Sequence, residues 1–431
     1  MPGPDSSLIA REQDLRRYLA RVGSQIEGLA SAADAAHGLR GTAAETVDPV
    51  LRGLLGSAEA EYAILLPELH ERVPEYADLV GTSVISWHDV AAVSDPQTAF
   101  IEYLVGDSTT IAFTITSDTI AAFDLGLPRR QLSVLVDFAR GSMSQVIDER
   151  ESTDWRAPLA SLWQKLFAPI EASGMLEGKS AIRISPNAEL HYLPFAALWN
   201  QPEGEFLIER FTVTYVPSAS VWDRLATRKH APTTGRILIM APLPERLPAS
   251  RLEASEIKRL MGEGSTLLRG TDATENALRS LLGSYDILHL ATVGVLNTTN
   301  PLFSYLQLAR AGSDDGRLEV HEVFGLDLNA SLVVLSACET GLGSGNLADV
   351  PAGDDWVSFV RTFLFAGADE VLATLWRVED AATSEFMAEF YGQLRGGISP
   401  EKSLALTQRH YLAQPTTSHP LYWAGFVISG S

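Results

Sequence analysis

A single cysteine is the residue of this chain that is best suited to act as a nucleophile. Cys338 follows the apolar run LVVL (residues 332–335), and glycines stand at positions 341, 343 and 345. The run predicts a central strand, and the carboxyl ends of such strands are where α/β sheets place active sites. The alternative is a buried structural cysteine, the commonest role of a lone cysteine in a core.

A nucleophilic thiol needs a base, commonly an imidazole, or a cation that lowers its pKa. Glu339 is adjacent to the cysteine and would favour the neutral thiol. Arg377, at the end of the run EVLATLW, is the one cation that we expect at the same sheet edge. A solvated or salt-bridged loop residue is an equally good interpretation of Arg377.

Motifs for other chemistries are missing from the sequence. It has neither a Walker-type lysine nor GxGxxG opening a helix, and no Cys/His cluster with zinc spacing. We therefore expect no cofactor and no metal.

The segment GSGNLADVPAG (343–353) predicts a mobile loop beside the cysteine, because it is rich in Gly, Asp and Pro.

The carboxyl-terminal half, residues 235–431, alternates predicted strands and helices. This order predicts a doubly wound, mostly parallel sheet. The strands are GRILIMAP, STLLRG, DILHLATV, LVVLSA and, as the last core strand, EVLATLW. The helices are expected near residues 252–262, 273–284, 354–366, 380–395 and 400–412.

Two further segments precede this half. Residues 98–230 begin with a predicted three-stranded meander and continue as α/β, ending at a polar linker (228–235). Residues 1–92 show apolar stripes at helical spacing and predict a helical hairpin or bundle, with the last stripe interrupted by Pro67. We expect this segment to dock or regulate, with an unpaired stripe that could bind a partner.

Long ordered motifs give the chain a family resemblance. LVVLSACETGLG (332–343) resembles the CHAT-domain family, which comprises caspase- and separase-like cysteine peptidases often found beside tetratricopeptide repeats. The resemblance runs from about residue 98 to the end, through FVRTFLFAGADEVLATLWRVED, FMAEFYGQL and HPLYWAGFVISG. It implies a caspase-like doubly wound sheet flanked by helices. A second, pseudo-protease-like α/β layer and the helical segment would precede it.

The resemblance also implies a cysteine–histidine dyad. Cys338 matches the nucleophile and Gly294 the glycine whose N–H binds the oxyanion. The family motif His-apolar-Ala-Thr-His-Gly reads HLATVG here, so Val293 occupies the position of the dyad histidine. His289 lies four residues earlier, ~13 Å away along a strand, too far to replace it. His191 and His321 are better interpreted as structural.

Acidic residues are expected around the cleft. Members of this clan commonly use an acid to recognise a basic side chain before the scissile bond, and Asp380 is the first choice for that role. N-capping of the following helix is the alternative. Asp354, Asp355, Glu339 and Glu379 would add acidic character. Trp376 and Trp356 would form a pocket wall or the core.

Charge and composition restrict the partners. The net charge of −21 at pH 7 repels nucleic acid and anionic lipid surfaces. One cysteine allows no internal disulfide, and neither a signal peptide nor an apolar run of membrane-spanning length is present, so a cytoplasmic location is expected. A protein partner or protein substrate remains.

Two functions fit these observations best. The first is a peptidase-fold protein that has lost catalysis and binds a protein partner or substrate-like peptide. The second is a working endopeptidase with a displaced base, or a variant trapped by replacement of its histidine. A small-molecule hydrolase or binding protein on a flavodoxin-like sheet fits the motifs less well.

Overall fold

A computed structural model describes residues 7–12, 14, 15, 18, 49–73, 85–144, 155–228, 235–295, 304–312, 315–337, 354–376 and 380–430. Side chains at 354–358, 380 and 381, and at some other helical positions, lie outside this description. The chain divides into two compact units, residues 1–84 and 85–431.

The described part of the first unit is helical. Residues 7–12, 14, 15 and 18 are helical, and helix α1 spans Pro49–Arg72. Arg11 forms a 2.8 Å ion pair with Glu61, and the Tyr62 hydroxyl donates to the buried Glu12 carboxylate at 2.8 Å. These contacts join the amino-terminal helical residues to α1.

Helix α1 differs from the predicted stripes in two respects. It continues through Pro67, so the predicted interruption was wrong: an interior proline removes one backbone hydrogen bond and bends a helix, and it need not end it. Val50 and Leu54, predicted as part of an apolar stripe, are 66% and 43% exposed. The buried positions include Ala58 and Leu65, seven residues apart on one face.

The second unit begins with a short capped helix. Helix α2 (Trp87–Val93) follows Ser86, which forms a capping box with Asp89. Val90 and Ala91 pack with buried residues of the neighbouring strands and Trp222. The helix therefore belongs to the α/β unit, although the sequence placed residues up to 92 in the helical segment.

The described residues of the amino-terminal half of this unit form seven strands. The first three form the predicted antiparallel meander. They are β1 (Thr98–Val105), β2 (Thr110–Ile115), β3 (Ile120–Asp124), β4 (Ala181–Ser185), β5 (Trp199–Asn200), β6 (Glu205–Phe206) and β7 (Thr212–Tyr215). Strands β1, β4 and β7 are parallel neighbours, whereas β5 and β6 form a separate hairpin.

Nine more strands lie in the part of the carboxyl-terminal half that the structure describes. They are β8 (Ile237–Ala241), β9 (Ser265–Arg269), β10 (Ile287–Thr292), β11 (Gly294–Val295), β12 (Tyr305–Gln307), β13 (Arg317–Glu319), β14 (Ala330–Ala337), β15 (Ala368–Thr374) and β16 (Phe426–Gly430). All residues of β8 and β10 are buried, as expected for parallel strands covered on both faces.

One sheet of eleven strands joins the two halves. Its order is β3-β2-β1-β4-β7-β16-β15-β14-β10-β8-β9. Strand β16 is parallel to β7 and antiparallel to β15, so the parallel strands of the two halves run in opposite directions. The prediction that EVLATLW is the last core strand was wrong, because the short apolar run FVIS forms β16 at the junction.

Helices cover both halves. In the amino-terminal half they are α3 (Arg129–Ser144), α4 (Arg156–Leu162), α5 (Ala168–Ala172), α6 (Leu207–Arg210) and α7 (Ala219–Thr227), with a π-helical turn, Trp163–Phe167, between α4 and α5. In the carboxyl-terminal half they are α8 (Pro248–Met261), α9 (Glu275–Leu281), α10 (Val320–Val323), α11 (Asp354–Phe365), α12 (Asp380–Arg395) and α13 (Pro400–Ala413). These elements confirm the predicted strand–helix alternation.

Candidate functional site

The carboxyl ends of β10 and β14 form the centre of the candidate site. The two strands are parallel neighbours, and Thr292 pairs with Ala337. Thr292 directly precedes Val293, and Ala337 directly precedes Cys338 in the sequence. Cys338 and Glu339 themselves lie outside the described residues. The pairing therefore gives the ends of the two strands, and Val293 and Cys338 are the next residues in the sequence.

The strand ends have one polar face. Side chains alternate along a strand, so His289 and Ala291 lie on the same side of β10. Ala291 pairs with Ser336, and the side chains of Ser336 and His289 both contact Glu253 of α8. The face that carries His289 is therefore the face covered by α8.

The backbone after β10 pairs with strand β12. Gln307 N–H donates to Val293 O at 2.9 Å, and Gly294 pairs with Leu306 of β12. In an antiparallel pair, a residue next to a hydrogen-bonded pair directs its own N–H away from the partner strand. The N–H of Gly294 thus points away from β12.

The acidic positions of the prediction flank this edge at helix starts. Asp380 is the first residue of α12, and Asp354 and Asp355 begin α11, where Trp356 follows. Their side chains lie outside the described part of the chain, as do Arg377 and Glu379. For the residues in the two helices the structure gives the backbone position alone, and it describes neither Arg377 nor Glu379. The roles of all these residues stay predictions.

Trp376 is the described aromatic residue at this edge. It follows β15, is 6% exposed, and its Nε1–H donates to Leu421 O at 3.4 Å. A Cβ on Gly425 would lie 2.9 Å from the indole, so the ring packs directly on the glycine backbone. Trp376 is therefore a packed wall between β15 and the start of β16.

Sequence reasoning missed one cation at the edge. Arg140 of α3 donates to Leu375 O, just after β15, at 3.3 Å. Burial lowers the pKa of this guanidinium. Arg140 stands four residues after the apolar Val136, and this spacing is the sequence signal that both residues share one face of the helix. In the structure Val136 is buried. The edge at which the sequence predicts Arg377 thus has a second arginine beside it.

Neither of the other two histidines considered from the sequence, His191 and His321, contributes a described side chain to this site. Burial, and after it Arg361, lowers the pKa of His191 to about 3. His191 lines a small cavity with Tyr215 and Ser429, beyond the carboxyl ends of β4 and β7, which is the opposite edge of the sheet. His321 lies in α10, the predicted helix-entry stretch, and its side chain is outside the described set.

Among the described residues, no group of three or more His, Cys, Asp or Glu side chains could hold a metal ion. In the same part of the chain, no helix combines the length and apolarity needed to cross a bilayer.

The sheet order, the helix layers and the polar strand ends define a caspase-like α/β protein. The CHAT domain family model matches residues 156–431, and the chain therefore belongs to this family. The matched region starts after the meander, later than the resemblance expected from about residue 98.

Curated relatives agree with this assignment. Tetratricopeptide repeat protein 28 of Mus musculus is 28% identical over 341 residues, which covers 66% of this chain and 14% of that protein. Its Homo sapiens counterpart is 28% identical over the same length, with 13% of that protein covered. The chain thus spans about a seventh of the length of these relatives.

Solved structures share the fold. One Saccharomyces cerevisiae separase–securin complex has a TM-score of 0.54 and 11% identity, covering 98% of this chain and 37% of the other. A second such structure has a TM-score of 0.49 and 11% identity, covering 83% and 31%. At this identity the likeness of the first structure shows the fold alone.

Proposed function

We propose that this protein is a CHAT-type, caspase/separase-like protein with impaired or absent catalysis that binds a protein partner or substrate-like peptide. The pairing of Thr292 with Ala337 is the observation that carries the proposal. Val293 and Cys338 directly follow these two residues in the sequence, which supports a thiol and the position of its base at adjacent strand ends.

Valine at position 293 removes the proton-transfer group from this arrangement. In a dyad, the thiolate attacks a peptide carbonyl and the imidazole protonates the leaving amine. Valine has no atom that takes or gives a proton, and general acid–base catalysis is worth typically ~10²–10⁴-fold. The outward N–H of Gly294 would still bind a substrate carbonyl, so peptide binding survives the loss of catalysis.

The walls of the cleft support a basic ligand. Asp380, Asp354 and Asp355 at helix starts, and Glu339 beside the cysteine, would give the cleft negative charge. Trp376 supplies a rigid apolar wall held by Gly425. We infer that a peptide with a Lys or Arg side chain binds there. Specificity through Asp380 is part of this proposal.

A protein ligand also suits the relatives. Separase was solved with securin, and the curated relatives are tetratricopeptide repeat proteins. By analogy with these proteins, we propose that the ligand is a segment of a protein and that the helical unit, residues 1–84, offers a second docking element.

An active endopeptidase is the competing function. It would need another base on the face of Val293. His289 is fully buried and lies ~13 Å before that position at the rise of a strand, which is beyond hydrogen-bond reach. This geometry favours the impaired form.

Peptidase assays on three proteins test the proposal: the chain itself, Val293→His and Cys338→Ala. Each is incubated with a peptide library rich in Lys and Arg and with proteins encoded beside it. We expect cleavage by Val293→His and none by the other two. Cleavage by the chain itself that Cys338→Ala abolishes would overturn the proposal and favour the active endopeptidase.

A further inference from the structure

Four buried polar side chains form a cluster beneath the candidate site. The Glu253 cluster consists of Glu253 of α8, His289 of β10, Ser336 of β14 and Tyr391 of α12. All four are at most 4% exposed. Each comes from a different element, and the proposed dyad chemistry uses none of them.

The contacts of the Glu253 cluster form a chain. The Ser336 hydroxyl donates to Glu253 Oε2 at 3.0 Å. Glu253 Oε1 lies 3.2 Å from His289 Nε2, although these two atoms are not aligned as a hydrogen bond. His289 Nδ1 is 2.9 Å from the Tyr391 hydroxyl.

The Tyr391 hydroxyl and the Ser336 hydroxyl are the donors of this chain of contacts. Burial, and after it the Glu253 carboxylate, raises the pKa of the Tyr391 phenol well above its ordinary value. The neutral phenol therefore has a proton available for His289 Nδ1, as Ser336 has for Glu253 Oε2.

The cluster spans the two strands that lead to the site. Ser336 is two residues before Cys338, and His289 is four residues before Val293. Both side chains contact one carboxylate. A change at Glu253 is therefore felt by both strand ends.

We propose that Glu253 is a positioning residue of the candidate site: its contacts fix the two strand ends, and its negative charge sets the reactivity of Cys338. This inference rests on the proposed function, since it takes Cys338 as the nucleophile of that site. It adds a residue that acts through Ser336 and His289 and does not itself touch the substrate.

The proposal predicts an effect of the carboxylate on the thiol. Ser336 bonds to Glu253 and stands two residues before Cys338 in the sequence, so we expect the charge of Glu253 to disfavour the thiolate. Glutamine at position 253 keeps the shape and can still bond to both neighbours, but it removes the charge. The thiol then ionises at lower pH.

Alkylation of Cys338 is a specific readout, because this is the one cysteine of the chain. The rate with iodoacetamide is measured from pH 6 to 10 for the chain and for Glu253→Gln. Glu256→Gln is the matched control: it lies on the same helix, its side chain is 37% exposed, and it pairs with Arg259 at 2.9 Å. We expect the midpoint for Glu253→Gln to fall by about one pH unit, and the control to match the chain.

Two variants of the serine separate positioning from stability. Ser336→Ala removes the hydroxyl that ties β14 to Glu253, and Ser336→Thr restores it. We expect Ser336→Ala to shift the alkylation midpoint and Ser336→Thr to return it. In the Val293→His background, Ser336→Ala should lower kcat by about tenfold with KM little changed.

A lower melting temperature with unchanged alkylation midpoints for Glu253→Gln and Ser336→Ala would overturn the inference, since the cluster would then be structural only. If Glu253→Gln does not fold, the serine pair gives the decision. Cleavage by the unmodified chain would overturn the proposed function instead, and the labelling comparison would still test Glu253.

Discussion

Thr292 and Ala337 are paired residues at the carboxyl ends of two parallel strands, and each is the last strand residue before a position of the predicted dyad. In the sequence they are far apart, and the strand register brings them together. Val293 follows the first of them in the sequence and Cys338 follows the second. The consequences concern the thiol, the cleft and the packing around it.

The thiol of Cys338 should behave as an unactivated group. Position 293 has no imidazole, Glu339 is adjacent, and Arg377 is equally well interpreted as a solvated loop residue, so we expect the thiol pKa to stay near the ordinary value of ~8.5. Iodoacetamide labelling followed by mass spectrometry should therefore rise only well above neutral pH. Rapid labelling at pH 7 would contradict this expectation and reveal a base or cation near the thiol, and Arg140→Met would then test a described cation at the end of β15.

The role of Asp380 can be separated from helix capping. If its carboxylate recognises a basic side chain, Asp380→Ala should weaken binding of a Lys- or Arg-containing peptide by about tenfold, with a small change in melting temperature. Isothermal titration and thermal melting measure the two effects. Unchanged binding with a drop of roughly 1 kcal/mol in stability would favour capping. Asp380→Asn, which keeps a capping side chain, is the control.

The sequence predicted the fold well because the strands are strongly apolar. The run ILIMA is apolar at every position, and this composition alone predicts burial on both faces. The structure buries every residue of the run. Strand β16 was missed, since a short run that follows a turn-rich segment gives little periodicity. Its antiparallel place between β7 and β15 depends on tertiary packing.

Side-chain contacts across the site were beyond sequence reasoning. Ser336 and Glu253 are 83 residues apart, and Arg140 is 235 residues from Leu375. Such pairs are determined by how helices lie on the sheet, and no local pattern encodes that. The position of Val293, in contrast, followed from a motif of six residues.

Packing of Trp376 on Gly425 predicts a sensitive glycine. Alanine at position 425 would place a Cβ 2.9 Å from the indole, so the ring or the backbone must move. We expect Gly425→Ala to lower the free energy of unfolding by about 1–3 kcal/mol. Chemical denaturation measures the loss.

Gly392→Ala provides the matched control for this substitution. Gly392 lies in the interior of α12, and a Cβ there meets nothing within 4 Å. Alanine at this position should therefore stabilise by roughly 0.5–1 kcal/mol. Equal effects of the two substitutions would contradict the close packing at Gly425.

A buried carboxyl in β15 predicts how stability depends on pH. Glu370 is 5% exposed, and burial, followed by the charge of Glu401, raises its pKa well above the ordinary 4.5. Arg183 opposes this shift, and Asp369 adds to it. The folded state thus keeps a proton that the unfolded chain loses above about pH 4.5.

The sign of the effect follows from this difference in protons. The contribution of Glu370 is fully present below pH 4.5 and declines as the pH rises through the folded-state pKa. Glu370→Gln is neutral at every pH and lacks this decline. Its melting temperature relative to the unmodified chain should therefore rise between pH 5 and pH 8, with the exposed Glu263→Gln as control. If the difference in melting temperature between Glu370→Gln and the unmodified chain stays constant from pH 5 to pH 8, Glu370 ionises normally in the folded protein.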